Sequence, residues 1–496
     1  MLVRVLLTHS QKNFLTSDSL YIRGESPFVG LQDRVGRKSS GMSRFTDVVR
    51  MRHSRARKLL VIFPPRRKPK LTRVDVNMKN GMETNGFKRL REEAAPRLLA
   101  AAVRAAVCIG AFALLGTNAQ AQAPTATQAT RMYNRIAGVP PSSAELASML
   151  AAGDPVSAAL IATKDPAFYN NTIRNMATPW TNRDQTVFAP LNDYTATVVG
   201  MVRDDVPFNT LLSADLVYIA GSAATSAYSL PAYSPNNNDL YAAMDTANVD
   251  MSNTANLVSS TQSAITGIPA AATAGVMTTR GGAAAFFVNG TNRAMFRFTM
   301  MNHLCSDLQT VMDITRPPDR IRQDVTRSPG GVSTLFLTNC IGCHSGMDPM
   351  AQAFAYYNFS YPTSEAGATS FPTGQIVYTA GQVQPKYHIN NTNFPQGFST
   401  TDDSWDNRWR AGPNYNLGWS TSLPGSGNGA KSLGQELEAS TAFASCQVTR
   451  VFKDVCLRAP NNSADVKQIS TMVATFQSGY NLRQVFAQSA AYCMGN

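Results

Sequence analysis

Apolar residues recur at helical spacing over most of the chain after residue 122. Pro140-Pro141-Ser142 predicts a helix over 144–152, with Ser142 as its cap and Glu145 three residues on. The runs 155–164 and 166–177 each start with a proline in the first turn after an aspartate. Helical spacing also predicts helices over 191–201, 208–219 and 291–304. Two more are expected over 331–344 and 347–357, and three close the chain over 433–457, 464–476 and 482–492. Between them, 221–290 is rich in Ala, Ser, Thr, Asn and Gly. It reads as long loops with short elements, Phe286-Phe287-Val288 being a candidate strand. Residues 313–327, with Pro317-Pro318 and alternating Arg and Asp, read as a surface connector. Residues 360–430 form a long irregular stretch rich in Gly, Pro, Asn and Trp, with a strand expected over 375–379. The fold class is therefore mainly α and multi-helical, with a long insertion carrying short strands.

The segment before residue 122 has a different character. From Met82 it reads as an export leader: Lys88, Arg89 and Arg91 form a basic region, and 98–115 is apolar and interrupted only by Arg104. Ala119-Gln120-Ala121 is a small-x-small cleavage site, with Ala121-Gln122-Ala123 as a second choice. Cys108 sits inside the apolar run and is no lipoprotein cysteine, and the run after Arg104 is short for a membrane anchor. A signal peptide acts at an N-terminus, so 1–81 is expected to be a non-native upstream extension, with translation starting near Met78 or Met82. Its basic clusters otherwise suggest nucleic-acid binding. Residues 1–121 hold 23 of the 45 Lys and Arg and 8 of the 32 Asp and Glu, which leaves 22 basic and 24 acidic residues in 122–496. That near-neutral portion offers no broad field for nucleic acid, and no other run is long and apolar enough to span a membrane. Its 375 residues suffice for two or three compact units.

Cys340-Ile341-Gly342-Cys343-His344 carries the chemistry. C-x-x-C-H is the attachment signature of c-type haem: two thiols bind the vinyl groups, and the following histidine binds the iron. With 7 Cys and 5 His in 496 residues, chance gives about 0.001 such strings. A zinc ribbon needs a second cysteine or histidine pair, and a thioredoxin pair follows a strand in a βαβ unit; neither pattern is present. Cys340, Cys343 and His344 are thus the expected ligands of one covalent haem c, with Asp348-Pro349 expected to cap the next helix. The second axial position decides between electron transfer and ligand chemistry. His388, in the insertion, is the distal candidate carried forward. His303, Met472 and Met494 are further candidates, and Met347 and Met350 read as core methionines beside the ring.

Four other cysteines remain, Cys305, Cys446, Cys456 and Cys493, and an oxidising compartment suggests two disulfides. One unbroken helix over 433–457 puts Cys446 and Cys456 about 15 Å apart along its axis and excludes their pairing. Cys305–Cys446 with Cys456–Cys493 is the favoured connectivity; free buried thiols are the alternative. Trp405, Trp409, Trp419 and Tyr415 cluster among Asp402, Asp403, Asp406, Arg408 and Arg410. They read as a loop mini-core, the alternative being a carbohydrate or aromatic-ligand site.

The run from Cys340 through Met347-Asp348-Pro349-Met350 to 353–359 resembles the C-x-x-C-H-x-x-x-D-P segment of exported cytochrome-c-like proteins of planctomycetes and myxobacteria. Residues 135–146, 202–215, 275–293 and 433–492 resemble the same family in order, although Ala351-Gln352-Ala353-Phe354 stands where the family has Gly-Phe. The resemblance implies a cytochrome-c-like haem region in a helical fold. The expected organisation is an extension (1–81), a signal peptide (82–121), an N-terminal helical module (122–220) and a loop-rich helical module (221–330). A haem segment (331–360), the insertion (361–431) and a C-terminal helical module (432–496) follow. The leading functional expectation is a periplasmic or secreted mono-haem cytochrome serving a redox partner protein. The alternatives are a haem-dependent oxidase, oxygenase or peroxidase acting on a small molecule under the insertion, and an envelope binding protein with structural haem.

Overall fold

The computed structural model describes residues 122–288, 291–326, 334, 336–361, 373–388 and 397–495. The leader, its cleavage site and the 1–81 extension lie outside the described residues. The fold is mainly α, with three two-stranded antiparallel sheets among the described residues. No described helix is long and apolar enough to cross a membrane.

The first three helices are α1 (Ala126–Ala137), α2 (Ser143–Ala151) and α3 (Pro155–Ala162). Ser142 and Glu145 form the expected capping box, and the Asp154 carboxylate caps α3. The expected helix over 166–177 is a π-turn, Phe168–Ile173, running into Arg174–Ala177. Helix α4 (Asp193–Arg203) follows, and every one of its residues is buried.

Two expectations fail for tertiary reasons. Residues 208–219 form a short 3₁₀ turn, Phe208–Thr210, and then strand β1 (Val217–Ala220), paired with β2 (Leu257–Ser260). The Leu211 and Ala214 carbonyls, which a helix would use internally, accept instead from Val276 and Gly275. Phe286 is not in a strand but ends helix α5 (Arg280–Phe286). Thr279 caps α5, and the buried Asp193 carboxylate accepts from the N–H groups of Arg280 and Gly281.

Helix α6 (Arg293–His303) starts from Asn292 in a left-handed conformation, φ +56°. The Asn292 amide holds that geometry by donating to the Phe354 and Tyr357 carbonyls, both at 2.9 Å. The two helices expected around the haem motif are one. Helix α7 (Ile341–Ala351) follows a π-turn at Phe336–Cys340 and runs straight through Pro349, so Asp348 is interior to it and caps nothing. The chain then leaves by a 3₁₀ turn into β3 (Tyr357–Ser360), paired with β4 (Gln375–Tyr378).

The insertion is joined to the main core. Trp405, Trp409 and Trp419 are buried, and β5 (Ser404–Asp406) pairs with β6 (Ser426–Asn428). This burial removes the aromatic surface that carbohydrate binding would need; only Tyr415 of the cluster is exposed. The predicted 433–457 helix is two, α8 (Gly429–Glu438) and α9 (Thr441–Cys456), because Ser440 caps the second. Helices α10 (Ser463–Gly479) and α11 (Leu482–Tyr492) end the chain, and α11 packs mainly on α3. Cys305 is bonded to Cys446 and Cys456 to Cys493, the favoured connectivity. Both Cys446 and Cys456 lie in α9, so the argument against their pairing stands.

Glu438 generates a test of this packing. Burial pushes its carboxyl from 4.5 up to about 8, although Ser213 and the Leu212 N–H hydrogen-bond to it. The folded state therefore keeps a proton that the unfolded state loses above pH 4.5. The stability associated with it is complete below 4.5 and declines until about pH 8, by about 1.4 kcal/mol per pH unit. In urea titrations across this window, Glu438→Gln is expected to gain stability relative to wild type as pH rises. Parallel pH profiles would contradict the assignment.

Candidate haem-attachment site

Helical geometry sorts α7 into two faces. At about 100° per residue, Cys340, Cys343, His344 and Met347 fall on one side, and Gly342, Ser345 and Gly346 on the other. The structure uses both. His344 and Met347 face a cavity of about 390 Å³, with Ala294 and Phe298 of α6 and Leu308 forming its apolar wall. The Cys343 thiol lies 3.6 Å from the Leu308 carbonyl. Neither Cys340 nor Cys343 is in a disulfide, and both are half-buried.

The opposite face is packed tightly. The Asp313 N–H donates to the Gly342 carbonyl (2.8 Å), and the Ser345 hydroxyl donates to the Asp313 carbonyl (2.9 Å). A Cβ at Gly342 would sit 3.4 Å from Met312. At Gly346 there is no such room, because the Trp409 indole occupies the place of a Cβ. Trp409 is fully buried, so the insertion braces the back of the motif helix.

Asp348 holds the motif to the rest of the fold. It is fully buried, and its two oxygens accept from Arg293 Nε (2.8 Å) and a terminal nitrogen of the same guanidinium (2.9 Å). Arg322 lies 3.6 Å away, and the His344 Nδ1 is 3.0 Å from Oδ1. Burial pushes the Asp348 carboxyl up, but Arg293, Arg322 and His344 outweigh it and hold the group well below the usual carboxylate range. His344 Nδ1 is thereby committed to Asp348, which leaves Nε2 as the nitrogen available to a metal.

The donor set fits covalent haem. Two thiols outside any disulfide and an imidazole with its inner nitrogen fixed fall on one helical face, and the imidazole borders a cavity that has an apolar wall and three arginines, Arg183, Arg293 and Arg297. It fits a thiol oxidoreductase less well. Burial, Asp307 and Cys340 push the Cys343 thiol up, whereas an attacking redox cysteine has a lowered value. Among the described residues no three His, Cys, Asp or Glu side chains converge as a metal-holding group, so the cysteine pair gains no further zinc ligands there.

The remaining candidates are placed elsewhere. His388 ends a 3₁₀ turn, Pro385–His388, and is not part of the cavity wall; its neighbour Tyr387 lies under the Arg322 guanidinium. His303 is a core histidine, 2.7 Å from the Tyr194 hydroxyl, and burial followed by Arg450 pushes its pKa well below the ordinary value. Met350 is buried, and Met472, also buried, receives a hydrogen bond from Ser489 in the C-terminal helices; Met494 packs beside that core. Sequence reasoning missed the Asp348 network, although the i, i+4 spacing of His344 and Asp348 signals it once α7 is read through Pro349. It also missed Gly346, for which the sequence holds no signal.

No family model matches this chain, and neither the curated proteins nor the solved structures contain one similar to it.

Gly346 gives a direct check on the bracing. Gly346→Ala drives a methyl group into the Trp409 ring and is expected to cost about 1–3 kcal/mol in chemical denaturation. Gly342→Ala, with ordinary contact distances, is expected to cost less. Equal effects at the two glycines would contradict the described packing.

Proposed function

We propose that this protein is an exported mono-haem c-type cytochrome that transfers electrons. The observation carrying this reading is the shared face of Cys340, Cys343 and His344 beside a cavity, with the imidazole anchored through Nδ1 to buried Asp348. Cys340 and Cys343 would hold the haem as thioethers, each S–H adding across one vinyl double bond with no net oxidation or reduction. His344 would present Nε2 to the iron, with Asp348 holding the ring orientation through Nδ1. When bound, the haem supplies a one-electron Fe(III)/Fe(II) couple. Phe298, Leu308 and Met347 line the cavity beside His344 and would exclude water from a group held there. The resemblance of the 340–359 segment to exported cytochrome-c-like proteins supports the same reading.

A leader over 82–121 and two disulfides support maturation outside the cytoplasm, in the periplasm or beyond it. The partner is a redox protein or a second cytochrome.

The test is the protein co-expressed with c-type haem maturation machinery. Wild type is expected to retain haem after denaturation and acid extraction. Single Cys340→Ala or Cys343→Ala variants should keep one thioether, and the double variant none. The wild-type ferrous visible spectrum is expected to be low-spin and unchanged by carbon monoxide. Haem extractable from wild type would overturn the proposal. Covalent haem that binds carbon monoxide rapidly would replace electron transfer by the enzyme reading.

A further inference from the structure

The cavity beside His344 has a second character besides its apolar wall. Three guanidinium groups, Arg183, Arg293 and Arg297, line it, and no carboxylate does. Like charges gathered on a 390 Å³ space repel one another unless each is answered. Two are answered. Arg293 is paired with Asp348, and Arg297 is held by Asp307 through two hydrogen bonds of 2.8 and 2.9 Å. Arg183 is different: its Nε donates to the Ala285 carbonyl at 2.9 Å, and among the described residues no carboxylate lies within ion-pair distance. With Nε engaged, the terminal edge of the guanidinium remains, two N–H donors in the plane that matches the two oxygens of a carboxylate.

The cavity thus combines an apolar wall with one solvent-exposed guanidinium that has no carboxylate partner among the described residues. Its complement is an apolar molecule bearing a carboxylate. We propose that Arg183 binds a propionate carboxylate of the haem attached at Cys340 and Cys343, an assignment that rests on the haem reading above. The contact makes Arg183 a positioning residue for the macrocycle. A positive charge held at the propionate would favour the reduced state, because reduction lowers the positive charge of the haem.

The same edge would accept a free carboxylate molecule, so the experiment separates the two sources. Matured wild type, Arg183→Gln and Arg183→Lys are compared by covalent haem content, midpoint potential at one pH and ionic strength, and response of the visible spectrum to added benzoate. Arg183 is exposed, and its replacement is expected to leave haem attachment intact. The expected result is a lower potential in Arg183→Gln, most of it recovered in Arg183→Lys, and a wild-type spectrum indifferent to benzoate. Covalent haem with the same potential in all three proteins overturns the Arg183 assignment alone. A benzoate response that disappears in Arg183→Gln also overturns it, since the guanidinium then serves an outside ligand. Wild type without covalent haem overturns this assignment together with the cytochrome reading.

Discussion

A carboxylate with no exposed surface must have its charge answered inside the protein, and at Asp348 two guanidinium groups and an imidazole answer it. The three partners come from different parts of the chain. Arg293 opens α6, Arg322 lies on the connector before the motif, and His344 is one turn back on α7. Breaking any one leaves a buried charge short of a partner, so the arrangement fixes the relative positions of all three segments. It also overrides local preference. A residue before proline disfavours helical geometry, yet Asp348 stays helical because its side chain is held there.

The consequence is a helix gripped on two sides. Behind it, the two glycines allow the 312–314 segment and Trp409 to approach the backbone. In front of it, His344 and Met347 are left facing α6 across the cavity. α6 is fixed in turn at both ends, at its start by the Asn292 amide and just beyond its last residue by the Cys305–Cys446 bond. The frame around five motif residues therefore draws on the insertion, the connector and the C-terminal helices, which gives a structural reason for the size of a chain built around one small motif.

What could be read from the sequence follows the same division between local and distant causes. Helices α2 and α3 were legible because caps and proline positions are local signals, and α11 because its apolar spacing is. The disulfide connectivity was legible in part: helix geometry excludes Cys446–Cys456 and leaves two pairings, of which the favoured one is found. The motif itself needed no structure. Strand β1 and helix α5 were not legible, since each depends on carbonyls or N–H groups claimed by residues tens of positions away. The join of two expected helices into α7 was hidden by Pro349, whose usual meaning was outweighed by an ion-pair network spread over 55 residues of sequence. The burial of Trp409 against Gly346 was hidden for a similar reason: a glycine in a helix reads as a weakness until the ring that requires it is seen.

The sharing of Asp348 bears on which chemistry the site suits. A carboxylate that accepts only from the axial imidazole raises its basicity and pushes electron density toward the iron, the condition that favours cleavage of bound oxygen species. Here the same carboxylate is held by a bidentate Arg293 and approached by Arg322, and its affinity for the imidazole proton is correspondingly low. His344 keeps its orientation through the Nδ1 contact with Asp348. As ligand of the haem proposed for this site, it would orient the group without strong electron donation and would leave the reduced state accessible. Under that proposal the balance would favour reversible one-electron exchange over activation of a bound substrate, and it would be set by two arginines of which only Arg293 lines the cavity.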